Sequence, residues 1–88
     1  MLMAIYEHRF KKDLQKAKRR GKDMENISVI MKLLTHEQQL SHKHKNHTLL
    51  GKYDGCWECH IESDLLLIYK KNKTDICFLR IGSHSDLF

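Results

Sequence analysis

With 88 residues, 41% of them apolar, no proline and four glycines, the chain suffices for one compact domain over residues 1–88 and leaves no room for a second catalytic domain or a low-complexity tail. Its net charge of +5 is uneven: residues 1–45 hold eleven Lys or Arg against five Asp or Glu, and residues 46–88 hold five against six. A basic half of this kind fits a polyanion, an acidic protein partner or simply a solvated helix face, and no run approaches the ~20 apolar residues of a membrane-spanning helix.

Leu2 to Tyr6 is a short apolar run suited to a strand. Phe10, Leu14 and Ala17 then recur at helical spacing among Lys11, Lys12, Lys16, Lys18, Arg19 and Arg20, and Gly21 supplies a C-terminal stop. The pattern predicts an amphipathic helix with a basic back. Asp23 suits the cap of a second helix, in which Met24, Ile27, Met31 and Leu34 share a stripe with Ile30 beside it. That period fades near Glu37. Gln38 to Asn46 reads as a polar loop, and His8, His36, His42 and His44 are expected on the surface.

From Tyr53 to Ile61 the chain alternates, with Trp57, Cys59 and Ile61 on one side and Cys56, Glu58 and His60 on the other. Asp64 opens Leu65 to Tyr69, apolar on both faces and therefore a central strand. Lys70 to Thr74 reads as a turn. Ile76 to Leu79 follows as a buried strand ending at Arg80, with Cys77 in the core and Arg80 on the face of Ile76 and Phe78. The sum is an α+β layer fold: an N-terminal strand, two helices, then an antiparallel sheet of three or more strands.

Cys56-Trp-Glu-Cys-His60 matches the haem-attachment string, and its first four residues match a redox or zinc pair. In a strand, residues three apart point to opposite faces, so Cys56 and Cys59 cannot grip one metal or one haem edge. No metal or other cofactor is expected. The odd count of three cysteines argues against a disulfide framework. The apolar part of Met1 to His8 is too short for a secretory signal, so a cytoplasmic location is expected.

Five polar residues flank the apolar runs of the second half: His47, His60, Asp64, Arg80 and His84. Imidazoles exchange protons near neutral pH, and a guanidinium stabilises the extra negative charge of a phosphorane, so this set is what cleavage of RNA through its 2′-hydroxyl requires.

His47-Thr-Leu-Leu-Gly51, Cys59-His-Ile-Glu-Ser-Asp64 with Leu67-Ile-Tyr69 after it, Arg80-Ile-Gly-Ser-His84-Ser-Asp-Leu-Phe88 and the Lys22-Asp-Met24 segment resemble the YafQ group of the RelE/ParE toxin superfamily. The resemblance covers nearly the whole chain. It implies a RelE-like fold and a ribosome-dependent messenger-RNA endonuclease held inactive by a cognate antitoxin, a monomer alone and heteromeric with that partner. It also implies that His47, His60, Asp64, Arg80, His84 and Phe88 belong to the active site. Leu65 departs from the pattern, since many relatives carry tryptophan there, which puts base stacking at that position in doubt.

Within that frame His84 is expected to be the general acid and His60 the base, with Asp64 orienting an imidazole or taking the 2′-hydroxyl proton. Arg80 would clamp the scissile phosphate; its structural alternative is an ion pair with Asp64. His47 would bind phosphate or share the base role, and Phe88 would stack on a base or plug the core. Lys11, Lys12, Lys16 and Arg19 of the basic helix are expected to contact ribosomal RNA or an acidic antitoxin segment. The alternatives are a nucleic-acid-binding module without catalysis and a ParE-like toxin acting on gyrase by protein contact.

Overall fold

In the computed structural model, which describes residues 1–88, the elements run β1 (Met3–Tyr6), α1 (His8–Arg19), α2 (Met24–Thr35), β2 (His47–Thr48), β3 (Trp57–Glu62), β4 (Leu65–Lys71), β5 (Asp75–Gly82) and α3 (His84–Leu87). Short 3-10 turns lie at His42–His44 and Gly51–Tyr53. The strands form one sheet in the order β1-β5-β4-β3-β2, so the chain is α+β with Leu65 to Tyr69 in the centre, as its two-sided apolarity predicts. The sheet is mixed, however. β1 runs parallel to β5, with Tyr6 opposite Phe78, while every other pair is antiparallel.

The helices follow their sequence signals closely. Beyond α1, Gly21 adopts φ +75°, and the bonds Lys22 N–H to Ala17 C=O (3.0 Å) and Gly21 N–H to Lys18 C=O (3.1 Å) close a Schellman motif. Asp23 caps α2 by accepting the Asn26 N–H at 3.0 Å. Phe10 and Ala17 of α1 and Ile27, Ile30 and Leu34 of α2 are buried against one face of the sheet. There Tyr6, Phe78, Tyr69 and Trp57 stand in register across four strands, with successive ring centroids 5.7, 6.5 and 6.4 Å apart. Aromatic pairs of this kind add about 0.5–1.5 kcal/mol each beyond their buried area.

The opposite face carries a smaller cluster of Cys56, Leu66, Ile68 and Leu87, with Leu49, Tyr53 and Leu79 packed against it. A four-residue helix has no stability of its own. Leu87, 2% exposed, holds α3 on the sheet, and its burial contributes about 1.5–3 kcal/mol.

Four local expectations need correction. Tyr53 lies in the 3-10 turn before β3, because Gly55 at φ +84° breaks the run before the strand starts at Trp57. β5 continues through Arg80 to Gly82 and does not end at Arg80. Cys77 is half-buried on the outer face between exposed Ile5 and Lys70, with Sγ 3.7 Å from Glu7 Oε1, so it is not a core residue. His44 is buried and uses its ring Nδ1 on the His60 carbonyl at 2.7 Å, whereas His8, His36 and His42 are exposed.

Candidate active site

Strand register assembles the site. His47 stands opposite Glu58, Glu58 opposite Ile68, and Ile68 opposite Arg80, so one row on the outer face crosses β2, β3, β4 and β5. Arg80 reaches that row through a β-bulge: Tyr69 pairs with Phe78 but Ile68 pairs with Arg80, leaving Leu79 as the extra residue. Simple alternation, which assigns Arg80 to the face of Ile76 and Phe78, is therefore wrong by one residue.

At the β2–β3 end, one buried carboxylate serves two imidazoles. Glu58 is 5% exposed, and its Oε1 lies 3.4 Å from Nε2 of both His47 and His60. The ring centroids of the two histidines are 6.4 Å apart. His47 directs Nδ1 at the Lys45 carbonyl, which can only accept, so Nδ1 carries a proton. Its Nε2 faces Glu58, so both ring nitrogens are engaged by acceptors. His60 has its Nε2 toward Glu58, leaving Nδ1 as the free ring nitrogen. The His44 ring braces the His60 backbone from behind.

At the sheet's end the two-residue turn Ser63-Asp64 joins β3 to β4. Asp64 Oδ1 accepts the backbone N–H of His84 at 2.9 Å. Ser83 and Asp86 form a reciprocal capping box at the start of α3, which places His84 at its first position, exposed to solvent. The Phe88 ring lies 5.0 Å from that of His84 and 5.4 Å from that of Tyr53, and it is 53% exposed, so it is an available flat surface and not a core plug. Tyr53 donates its hydroxyl to the Leu87 carbonyl at 3.2 Å. Leu65 is 1% exposed within the helix-side core and offers no stacking surface beside Asp64.

Arg80 pairs with Asp13 of α1, not with Asp64. Nε and Nη2 reach the two carboxylate oxygens at 2.7 and 3.3 Å, and the same carboxylate accepts the Ile81 N–H at 3.1 Å. This satisfies the β5 edge just past the end of β1, whose last bond runs from Glu7 N–H to the Phe78 carbonyl. The hydrogen bond to Asp13 is the main cause that holds the guanidinium above its ordinary value, so Arg80 is a permanent cation in a fixed orientation. Asp13 does not engage Nη1, which is left for an anion beside the Tyr53 hydroxyl.

Lys11, Lys12, Lys16, Lys18, Arg19 and Arg20 are all exposed on α1, as the basic pattern predicts. Lys16 and Arg20 are also tied to Asp86 of α3, at 3.4 and 2.9 Å. Cys56 and Cys59 belong to the clusters on opposite faces of the sheet, which separates the two thiols of the CxxCH string. Burial, with Glu58 nearby, pushes the Cys59 thiol up to about 12.

Sequence reasoning missed Glu58 and Asp13 as site residues. The alternation that aligns Glu58 with His60 was a usable signal for the first. For the second, Asp13 is the one acidic residue within the helix His8–Arg19, a mismatch that a solvated basic face does not explain.

The chain is similar to known proteins over nearly its whole length. The family described as bacterial toxin of type II toxin–antitoxin system, YafQ, matches residues 3–88. The chain is 36% identical over 84 residues to the mRNA interferase toxin YafQ of Escherichia coli strain K12, covering 94% of this chain and 91% of that protein. The crystal structure of YafQ from E. coli strain BL21(DE3) superposes with a TM-score of 0.95 at 32% identity, over 100% of this chain and 99% of that one. YafQ in the crystal structure of the E. coli DinJ–YafQ toxin–antitoxin complex gives 0.92 at 34% identity, over 99% and 97%.

Proposed function

Because the chain belongs to the YafQ family of toxins from bacterial type II toxin–antitoxin systems, we propose that it is a ribosome-dependent messenger-RNA endonuclease that inhibits translation. The reaction is acid–base transesterification, in which the 2′-oxygen attacks the adjacent phosphorus and leaves a 2′,3′-cyclic phosphate and a 5′-hydroxyl. The observation that carries this reading is the single sheet face that holds two carboxylate-bridged imidazoles at one end and a pre-oriented guanidinium at the other.

His60, whose free Nδ1 faces no protein partner, takes the 2′-hydroxyl proton. His47, its ring oriented by the Lys45 carbonyl and Glu58, contributes to phosphate binding. Arg80 stabilises the phosphorane with the N–H groups that Asp13 leaves free. His84 gives a proton to the leaving 5′-oxygen, and Asp64 acts on it through the backbone, by fixing where α3 begins. Phe88 stacks on a base. Two imidazoles and a guanidinium supply acid, base and charge, so the mechanism needs no metal.

Lys11, Lys12, Lys16 and Arg19 dock the protein on ribosomal RNA. A cognate antitoxin holds the chain in an inactive heteromeric complex, a reading supported by the E. coli relative solved with DinJ. Free of that partner the protein is a monomer acting in the cytoplasm; no helix is long and apolar enough to cross a membrane.

Primer extension on messenger RNA after brief induction tests the reading. Codon-phased breaks that vanish in His84→Ala are expected. Intact messenger alongside altered DNA supercoiling would instead assign the ParE-like mode of action on gyrase.

A further inference from the structure

Asp86 carries two duties at once. Its Oδ2 accepts the Ser83 N–H at 3.0 Å and the Arg20 guanidinium at 2.9 Å, while Oδ1 lies 3.4 Å from the Lys16 ammonium. The backbone N–H of Asp86 in turn bonds Ser83 Oγ at 3.2 Å. Gly82 leaves the room this needs, since a Cβ there would lie 3.1 Å from Asp86 Cβ and Oδ2. The Ser83 bonds and the Arg20 charge hold this carboxyl far below the usual carboxylate range, so it is ionised at every working pH.

The two ends of this hub matter separately. One is α3, which bears His84 and Phe88 and is too short to hold its place unaided. The other is the basic back of α1, where Lys16 and Arg20 remain nearly half exposed despite their pairing. A phosphate that engages either cation competes with Asp86 for it.

We propose that Asp86 is a positioning residue that fixes α3 for cleavage while partly neutralising the docking face of α1, so that it raises turnover at the expense of RNA affinity. The inference rests on the reading of α1 as an RNA-docking face. It predicts changes of opposite sign, which a merely structural residue does not produce. Asn at this position keeps an oxygen for the Ser83 N–H but removes the charge that holds Lys16 and Arg20.

The experiment compares wild type, Asp86→Asn and Ser83→Ala on purified 70S ribosomes programmed with a short messenger. Asp86→Asn is expected to cut about 10-fold more slowly at saturation yet bind ribosomes several-fold more tightly. Its affinity should fall more steeply with salt, by about one further unit of logarithmic slope for each cation released. Ser83→Ala breaks half of the capping box and leaves the ion pairs, so it should lose turnover without binding more tightly.

Asp86→Asn that binds no more tightly, with an unchanged salt slope, overturns the masking half of the proposal. Normal turnover by that folded variant overturns the positioning half. Hydrogen exchange at the Leu87 and Phe88 amides, read on the free protein, should be faster in both variants and needs no RNA. A wild-type protein that shows no ribosome affinity would defeat the docking reading itself, and the exchange data would still decide whether Asp86 positions α3.

Discussion

Asp64 bonds the backbone N–H of His84 and not its ring, at 2.9 Å, so the aspartate of the β3–β4 turn fixes the position of α3 and leaves the His84 imidazole unengaged by it. The two residues are twenty apart in sequence and meet because β4 and β5 return the chain to the same end of the sheet. A carboxylate acting this way can be replaced by any acceptor of the same shape. One acting as the base cannot.

Asp64→Asn should therefore retain most activity, within about 10-fold of wild type, whereas Asp64→Ala leaves the first N–H of α3 to water and should lose more, at a cost of about 0.5–2 kcal/mol in helix placement. Single-turnover cleavage of the two variants checks this. Equal and severe losses would return Asp64 to the role of proton acceptor.

The Arg80–Asp13 pair is mostly buried, with each side chain 13% exposed. Removing Asp13 strands both the guanidinium and the Ile81 N–H. Asp13→Ala should cost about 3–5 kcal/mol in stability, the range for breaking such a pair, and cleavage should fall with it. Arg80→Lys, which keeps the charge but not the two-pronged geometry, should reduce cleavage by about 10²-fold or more even where urea unfolding shows a folded protein. Normal cutting by Arg80→Lys would demote Arg80 to a structural cation.

Glu58 and His60 should behave as one unit. Glu58→Gln and His60→Ala are each expected to lower the cleavage rate by about 10²-fold, and the double variant should lose little more than the worse single one. Additive losses would mean that Glu58 acts apart from the base.

The legible parts of the fold were those with a local period. The stripes of α1 and α2, the stop at Gly21, the cap at Asp23 and the two-sided apolarity of Leu65 to Tyr69 each depend on neighbours within a few residues. The parallel pairing of β1 with β5 joins Met3 to Asp75 and leaves no local trace. The bulge at Leu79 was equally silent, yet it decides which face Arg80 occupies. His47, His60 and Arg80 do share the outer face, and Asp64 meets the backbone of His84 at its edge. Their partners Glu58 and Asp13 left only indirect signals, the alternation with His60 and the single acid in a basic helix, because an acid under cover looks like a surface acid until the elements covering it are in place. Cys77 and His44 exchanged their expected environments for the same reason: composition of the nearby run did not reveal what packs on top of it.

The cysteines offer a clean negative control for thiol or haem chemistry. Cys59 is fully buried and its thiol is pushed up to about 12, so it should resist alkylation at pH 8 in the native protein and react on unfolding. A combined Cys56→Ala, Cys59→Ala variant should cleave RNA at near the wild-type rate once folding is confirmed, and a chelator should change nothing. Serine is a poorer probe at position 59, since it would bury a hydroxyl without an assured partner. Loss of activity on chelation, together with stoichiometric metal in the purified protein, would overturn the metal-free mechanism.

Acid should weaken the anchoring of α3 in a way that identifies Asp86. Its folded-state carboxyl lies below the ordinary value, so in the acid range the unfolded chain binds more protons than the native one, and stability falls as pH falls. The contribution is complete above about pH 5 and drains away as pH drops through the unfolded value of ~3.9 toward the lower native one. Asp86→Asn lacks it at every pH. Taking the charge interactions as worth about 1 kcal/mol, wild type should melt about 5 °C above Asp86→Asn at neutral pH, and the gap should narrow progressively from about pH 4 down to pH 2. Calorimetric melts of both proteins at matched ionic strength read this directly, because the other carboxylates titrate in both and cancel. A gap that stays constant down to pH 2 would trace the loss to packing and remove the charge of Asp86 from the account of how α3 is held.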